Sequence, residues 1–175
     1  PDDETRVGFE HMDEKWPEGA VNVAMVVLDF DGEDPLDETN LRATHKWMIE
    51  QIDDNRVITA FGYALPDASM NESSVVAYWQ TPDEYLTEEQ VATREYLRDQ
   101  FLSNGVTYII FSLNGPITGE DGRGFVADVR EDRDQFLDDI SMGDEGQLLV
   151  AGFAAYSLDV QDAIVENLPI ALAFI

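Results

Sequence analysis

Apolar residues along the chain change spacing several times, and each change marks an element. Val21 to Phe30 (VNVAMVVLDF) is almost unbroken in apolar and β-branched residues, the pattern of a buried strand. Leu41, His45, Met48, Ile49 and Ile52 then recur at helical steps, predicting a helix with Asp34 as N-cap and Pro35 in its first position. Val57 to Leu65 (VITAFGYAL) predicts a second strand, ended by Pro66-Asp67. Residues 67–80 form a polar connection that turns apolar at Val75, Val76, Tyr78 and Trp79, and the pattern assigns it no element. Thr81-Pro82 and Thr87-Glu88-Glu89-Gln90 are successive helix starts, the second a capping box with Leu86 and Val91 placed as a hydrophobic staple. That helix is expected to reach about Ser103 and to stop at Asn104-Gly105.

Val106 to Leu113 (VTYIIFSL) predicts a third strand, broken by Asn114-Gly115-Pro116. Phe125, Val126, Val129, Phe136, Leu137 and Ile140 mark one amphipathic helix. Its other face carries Asp128, Glu131, Asp132, Asp134, Asp138 and Asp139, read as a solvated face and not as a metal site. Gln147 to Phe153 predicts a fourth strand, and a last helix is expected from Asp159 to the end of the chain. Before the first strand, residues 3–16 carry Val7, Phe9, Met12 and Trp16 at loosely helical spacing, closed by Pro17-Glu18-Gly19.

This order predicts one α+β domain over 1–175: an opening helix (1–18), a first β-α-β unit (21–65), a mainly helical insertion (66–104), a second β-α-β unit (106–155) and a closing helix (159–175). Two such units with helices over one face of a four-stranded sheet make a ferredoxin-like split β-α-β arrangement.

Charge changes the picture most. The 175 residues hold 37 Asp and Glu against 10 Lys and Arg, a formal net charge of −27, with the carboxylates spread over every segment. Such a chain repels itself at low ionic strength, whereas at 1 M salt the Debye length is about 3 Å and the repulsion is screened. The expected setting is a salt-adapted organism. No basic stripe is present for phosphate backbones or anionic lipid, so neither nucleic acid nor an acidic membrane surface is an expected partner. The chain has no cysteine, which excludes disulfides, thiolate nucleophiles and thiolate zinc sites.

The ends add a further expectation. Pro1-Asp2-Asp3-Glu4 has neither an initiator methionine nor a signal-peptide pattern, suggesting a processed or excised piece. The apolar run Leu168-Pro169-Ile170-Ala171-Leu172-Ala173-Phe174-Ile175 is too short for a bilayer, which needs about 20 residues, and suits the mouth of a transmembrane helix. Just before it stands Ala151-Gly152-Phe153-Ala154-Ala155-Tyr156-Ser157-Leu158-Asp159. Layout and motif together resemble the porter domain of resistance-nodulation-division (RND) transporters, in particular the mycobacterial-membrane-protein-large (MMPL) branch. There two glycines, a variable residue, one or two alanines and an aspartate precede the helix entering the bilayer.

Gly152, Ala154, Ala155 and Asp159 match that pattern, and Ala151 stands where the first glycine is usual. The resemblance implies a non-catalytic domain without cofactor, on the extracellular or periplasmic-equivalent side of a secondary transporter. Its partners would be the transmembrane helices and second porter domain of the same protein, with membrane attachment through that parent. Its role would be to line or gate a route for a hydrophobic or lipid-like substrate. Phe61, Tyr63, Tyr78 and Trp79 are candidate contacts in a cleft between sheet and helices, with core packing as their other role.

Val26-Val27-Leu28-Asp29-Phe30-Asp31-Gly32-Glu33 resembles the first motif of haloacid-dehalogenase-type phosphatases, in which the first aspartate attacks phosphorus and the second handles the proton. Glu33 replaces the usual threonine, however, and no lysine follows Lys46. The same stretch fails as a calcium loop, because Asp34 and Asn40 occupy the positions of the turn glycine and the bidentate glutamate. His11 and His45 lack a paired metal spacing, the turn with Gly119, Gly122 and Gly124 is not a P-loop, and no serine sits in a nucleophile elbow. A freestanding ligand-binding or sensory module is the alternative to the transporter reading.

Overall fold

The computed structural model describes residues 22–116, 119–143 and 145–173, with side chains described as far as Leu168. The expected opening helix lies outside the described residues. The chain runs β1 (Val23–Asp29), α1 (Glu38–Ile52), β2 (Val57–Phe61), α2 (Glu72–Gln80), a 3₁₀ turn (Asp83–Tyr85), α3 (Glu88–Phe101), β3 (Leu102–Ser103), β4 (Val106–Leu113), α4 (Glu120–Glu131), α5 (Arg133–Asp139), β5 (Gln147–Gly152) and α6 (Phe153–Ala173).

The strands form one antiparallel sheet in the order β2-β4-β1-β5, with β3 paired to β4 as a short hairpin. β4 therefore separates β1 from β2, and β1 separates β4 from β5. The result is an α+β fold compatible with a split β-α-β plan. Along β1, Ala24, Val26 and Leu28 point to one face, joined there by Ile109, Phe111 and Leu113 of β4 and Leu148 of β5. This face is the core. Trp47 of α1 meets Phe111 edge-on at 5.5 Å, Phe125 of α4 lies 5.3 Å from the same ring, and Phe136 of α5 lies 4.7 Å from Trp47.

The opposite face carries the apolar or aromatic residues Met25, Val27, Tyr108, Ile110, Leu149 and Phe61 near its centre, none fully buried, with the polar Asp29, Thr59, Ser112 and Gln147 towards the strand ends. β1 and β4 read as continuous apolar runs because both their faces are apolar, although only one is sealed by helices.

Local chemistry relocates several expected boundaries. α1 starts at Glu38, with Asp37 as its cap accepting from Thr39 N at 2.9 Å. Asp34 closes a turn instead: its carboxylate accepts from Leu36 N at 2.9 Å, and its carbonyl accepts from Asp37 N at 3.0 Å. The second strand ends at Phe61, since the chain folds back where Leu65 N donates to Gly62 O at 3.1 Å. The unassigned stretch 67–80 holds α2, capped by Asn71, whose side chain accepts from Ser74 N at 3.0 Å.

The capping box of α3 is present in both limbs, Gln90 N to Thr87 Oγ1 at 3.2 Å and Thr87 N to Gln90 Oε1 at 3.0 Å. That helix stops at Phe101, before Ser103. Asn104 and Gly105, at φ 52° and 80°, form a two-residue hairpin turn that draws Leu102 and Ser103 into β3. The single helix expected over 125–140 is two, parted at Asp132 (φ −81°, ψ 0°). The last helix starts at Phe153, upstream of Asp159, with no loop after β5.

Candidate functional site

Two features carry functional interest: a groove on the open side of the sheet and the junction between β5 and α6. The groove encloses about 460 Å³ between the β2–β4 part of the sheet and α3. On α3, Leu97 and Phe101 are one helical turn apart and point into the body, while Tyr96 and Gln100, next to them on the helix surface, rim the opening. The sheet supplies Tyr108 and Ile110 from β4, and Phe61, the cross-strand partner of Ile110.

The Phe101 and Tyr108 rings lie 5.0 Å apart, and Gln100 Nε2 donates to the Tyr108 hydroxyl at 2.9 Å, which ties the helix to the strand. Phe61 is 53% exposed and Tyr96 62% exposed, so both rings are available to a ligand. No ionised side chain lines the groove. It offers apolar surface, ring faces and a few neutral hydrogen-bonding groups. Such a site binds by area and shape and holds no nucleophile aligned with a base.

Of the four aromatic residues singled out from sequence, the structure places Phe61 in this groove. Tyr63 is fully buried and donates to Thr44 Oγ1 at 3.2 Å; burial raises its phenol pKa. Trp79 is buried with its indole N–H on Tyr63 O at 3.0 Å, and Tyr78 donates to Gln90 O at 3.2 Å, its pKa also raised by burial. These three fix α2 and α3 to the core. Tyr96, Gln100 and Tyr108 were missed as groove residues. Tyr108 sits out of step with the sealed face, which is a readable sign, but nothing local to Tyr96 signals its partner strand.

At the junction, Gly152 pairs with Ala24 at φ +100°, and a Cβ there would stand 2.7 Å from Val23 O. Only glycine fits without strain, and this lets the strand turn directly into α6. Ala154 and Ala155 are buried in the first turn of α6, and a Cβ on Gly122 of α4 would lie 3.4 Å from that of Ala154. Small side chains thus let the two helices approach. Asp159 accepts from Arg130 at 2.5 and 3.3 Å, and that bond holds its carboxyl below the usual range. Beyond it, Tyr156, Val160, Ile164, Val165 and Leu168 expose an apolar flank of α6.

Asp29 and Asp31 are both engaged by backbone. Asp29 Oδ1 accepts from Asp31 N at 3.0 Å, and Asp31 Oδ2 accepts from Glu145 N at 3.1 Å, linking the loop after β1 to the loop before β5. Among the described residues no group of three or more His, Cys, Asp or Glu is arranged to hold a metal ion. Also among them, no helix is long and apolar enough to cross a membrane. No protein-family model matches the chain, and neither a curated protein nor a solved structure shows significant similarity to it.

Proposed function

We propose that this chain is a non-catalytic, ferredoxin-like porter domain of an RND/MMPL-type secondary transporter from a salt-adapted organism, standing on the extracellular or periplasmic-equivalent side. The observation that carries the reading is the β5–α6 junction. A glycine-dependent turn sends the edge strand β5 straight into a long helix whose first turn is buried through Ala154 and Ala155 and whose continuation exposes an apolar flank.

That flank suits packing against transmembrane helices or a second porter domain of the same protein, because large apolar side chains exposed in a row are costly unless a partner covers them. The neutral groove beside α3 then serves as a wall of the route taken by a hydrophobic or lipid-like substrate. The groove by itself would serve a freestanding ligand-binding module equally well, and one experiment separates the two.

The intact gene product carrying Tyr96→Cys is expressed in a host that tolerates molar salt, its membranes are washed with carbonate, and intact cells are treated with a membrane-impermeant maleimide. The introduced thiol is the domain's only one. Retention in the washed membranes with labelling from outside is the expected result. A product released into the soluble fraction would leave the binding-module reading in its place.

A further inference from the structure

We infer that the groove beside α3 selects aromatic or alkyl cations over anions of the same size and shape. This inference rests on the groove being a ligand site, as the proposed function has it, and adds the sign of the ligand's charge.

Two independent observations point the same way. The first is local. Phe61 and Tyr96 present exposed rings, Tyr108 and Phe101 stand behind them, and neither Lys, Arg nor His lines the groove. A ring face is the negative end of the aromatic quadrupole, so it attracts a weakly hydrated cation and repels an anion. The Gln100 amide spends one N–H on the Tyr108 hydroxyl at 2.9 Å, and the donors that remain in the groove are neutral, with no cationic group to pair with an anion.

The second observation is global. The chain carries a net charge of −27, and none of its described cations lines the groove; Arg56 pairs with Asp54 and Asp128, Arg94 with Asp83, Arg130 with Asp159, Arg42 with Glu38, and Arg98 lies over the Trp79 ring at 5.9 Å. The field over the molecule as a whole is therefore negative, which concentrates cations and excludes anions at low salt. At 1 M salt and above the field decays within about 3 Å, whereas contact with a ring face persists. The two contributions separate by ionic strength.

The test uses tetraphenylphosphonium and tetraphenylborate, a cation and an anion of nearly equal size, titrated calorimetrically into the protein in 2 M NaCl and again at the lowest salt that keeps it folded. The cation is expected to bind about tenfold more tightly than the anion in 2 M NaCl, the contribution of two ring faces, and by a wider margin at low salt. In Phe61→Ala/Tyr96→Ala, which alters two exposed side chains, the preference in 2 M NaCl is expected to vanish while circular dichroism stays unchanged.

Equal affinity for the two ions, both lost in the double variant, leaves the groove as an apolar site and overturns the charge selection. A preference that survives in the double variant assigns it to general attraction by the acidic surface and overturns it too. Binding of neither ion removes the groove as a site altogether. None of these outcomes bears on membrane attachment, which the thiol-labelling experiment measures separately.

Discussion

The sharpest consequence of the β5–α6 junction is the cost of one methyl group. In Gly152→Ala the new Cβ enters at φ +100°, where an L side chain is disfavoured by about 1–2 kcal/mol. It also meets Val23 O at 2.7 Å, and that atom is backbone in an inner strand of the sheet, with no rotamer to escape into. Relieving the contact bends peptide geometry at one strand or the other, for about 1–2 kcal/mol more. The expected loss is about 2–4 kcal/mol, or about 5–15 °C in Tm for a domain of this size.

Gly32→Ala is the matched control: its φ is +87°, yet no atom lies within 4 Å of the added Cβ, so it carries the conformational cost alone. Thermal unfolding of the wild type and the two variants, followed by circular dichroism in 2 M NaCl, measures the difference. A Gly152→Ala midpoint no lower than that of Gly32→Ala would refute the reasoning, since the clash would then contribute nothing.

Three further outcomes are expected. Arg94 is buried and donates to the carbonyls of Tyr78, Trp79 and Thr81 at 3.1, 3.4 and 2.7 Å, so Arg94→Met should lose about 3 kcal/mol in urea denaturation by leaving those oxygens unpaired; a midpoint equal to wild type would show that water replaces the guanidinium at no cost. Asp54 is held low first by the side-chain hydrogen bond from Arg56, and Asp159 by that from Arg130, so their folded pKa values lie below the unfolded ones. Their contribution is then present above about pH 4 and lost as pH falls through the lowered values; Asp54→Asn/Asp159→Asn should reduce stability at pH 7 and flatten the acid limb, and an unchanged acid limb counts against the assignment. Finally, dialysis from molar salt to tens of millimolar should unfold the domain because the −27 charge is no longer screened; a circular dichroism spectrum unchanged by that dialysis counts against salt adaptation.

What local chemistry could express was legible in the chain. Val106 to Leu113 was located to the residue because a continuous apolar run bounded by two turn signals admits little else, and the α3 capping box was readable because both its partners lie within one turn. Two of the boundaries that moved are ones where two local signals competed. Asp34-Pro35 and Asp37 can both begin a helix, and the carbonyl of Asp34 also serves the buried Asn40 side chain, which draws Asp34 into the turn. Asn104-Gly105 reads as a helix stop or as a hairpin turn, and only the presence of β4 beside Leu102 and Ser103 makes it the latter.

The groove depended on the same kind of decision at longer range. Phe61 and Tyr63 stand two apart and would share a face of any continuing strand, yet β2 stops at Phe61 and the turn at Gly62 sends Tyr63 into the core while Phe61 stays outside. By itself the sequence determined the four main strands and most of the helices between them, the acidic surface and the absence of thiol chemistry, because spacing, capping and charge act within a few residues or do not depend on position. Tertiary structure alone decided which sheet face is sealed, which aromatic rings remain available, and that α3 meets β4 across a gap. Those outcomes depend on strand register and helix packing between segments far apart in the chain, where no residue carries a local mark of its partner.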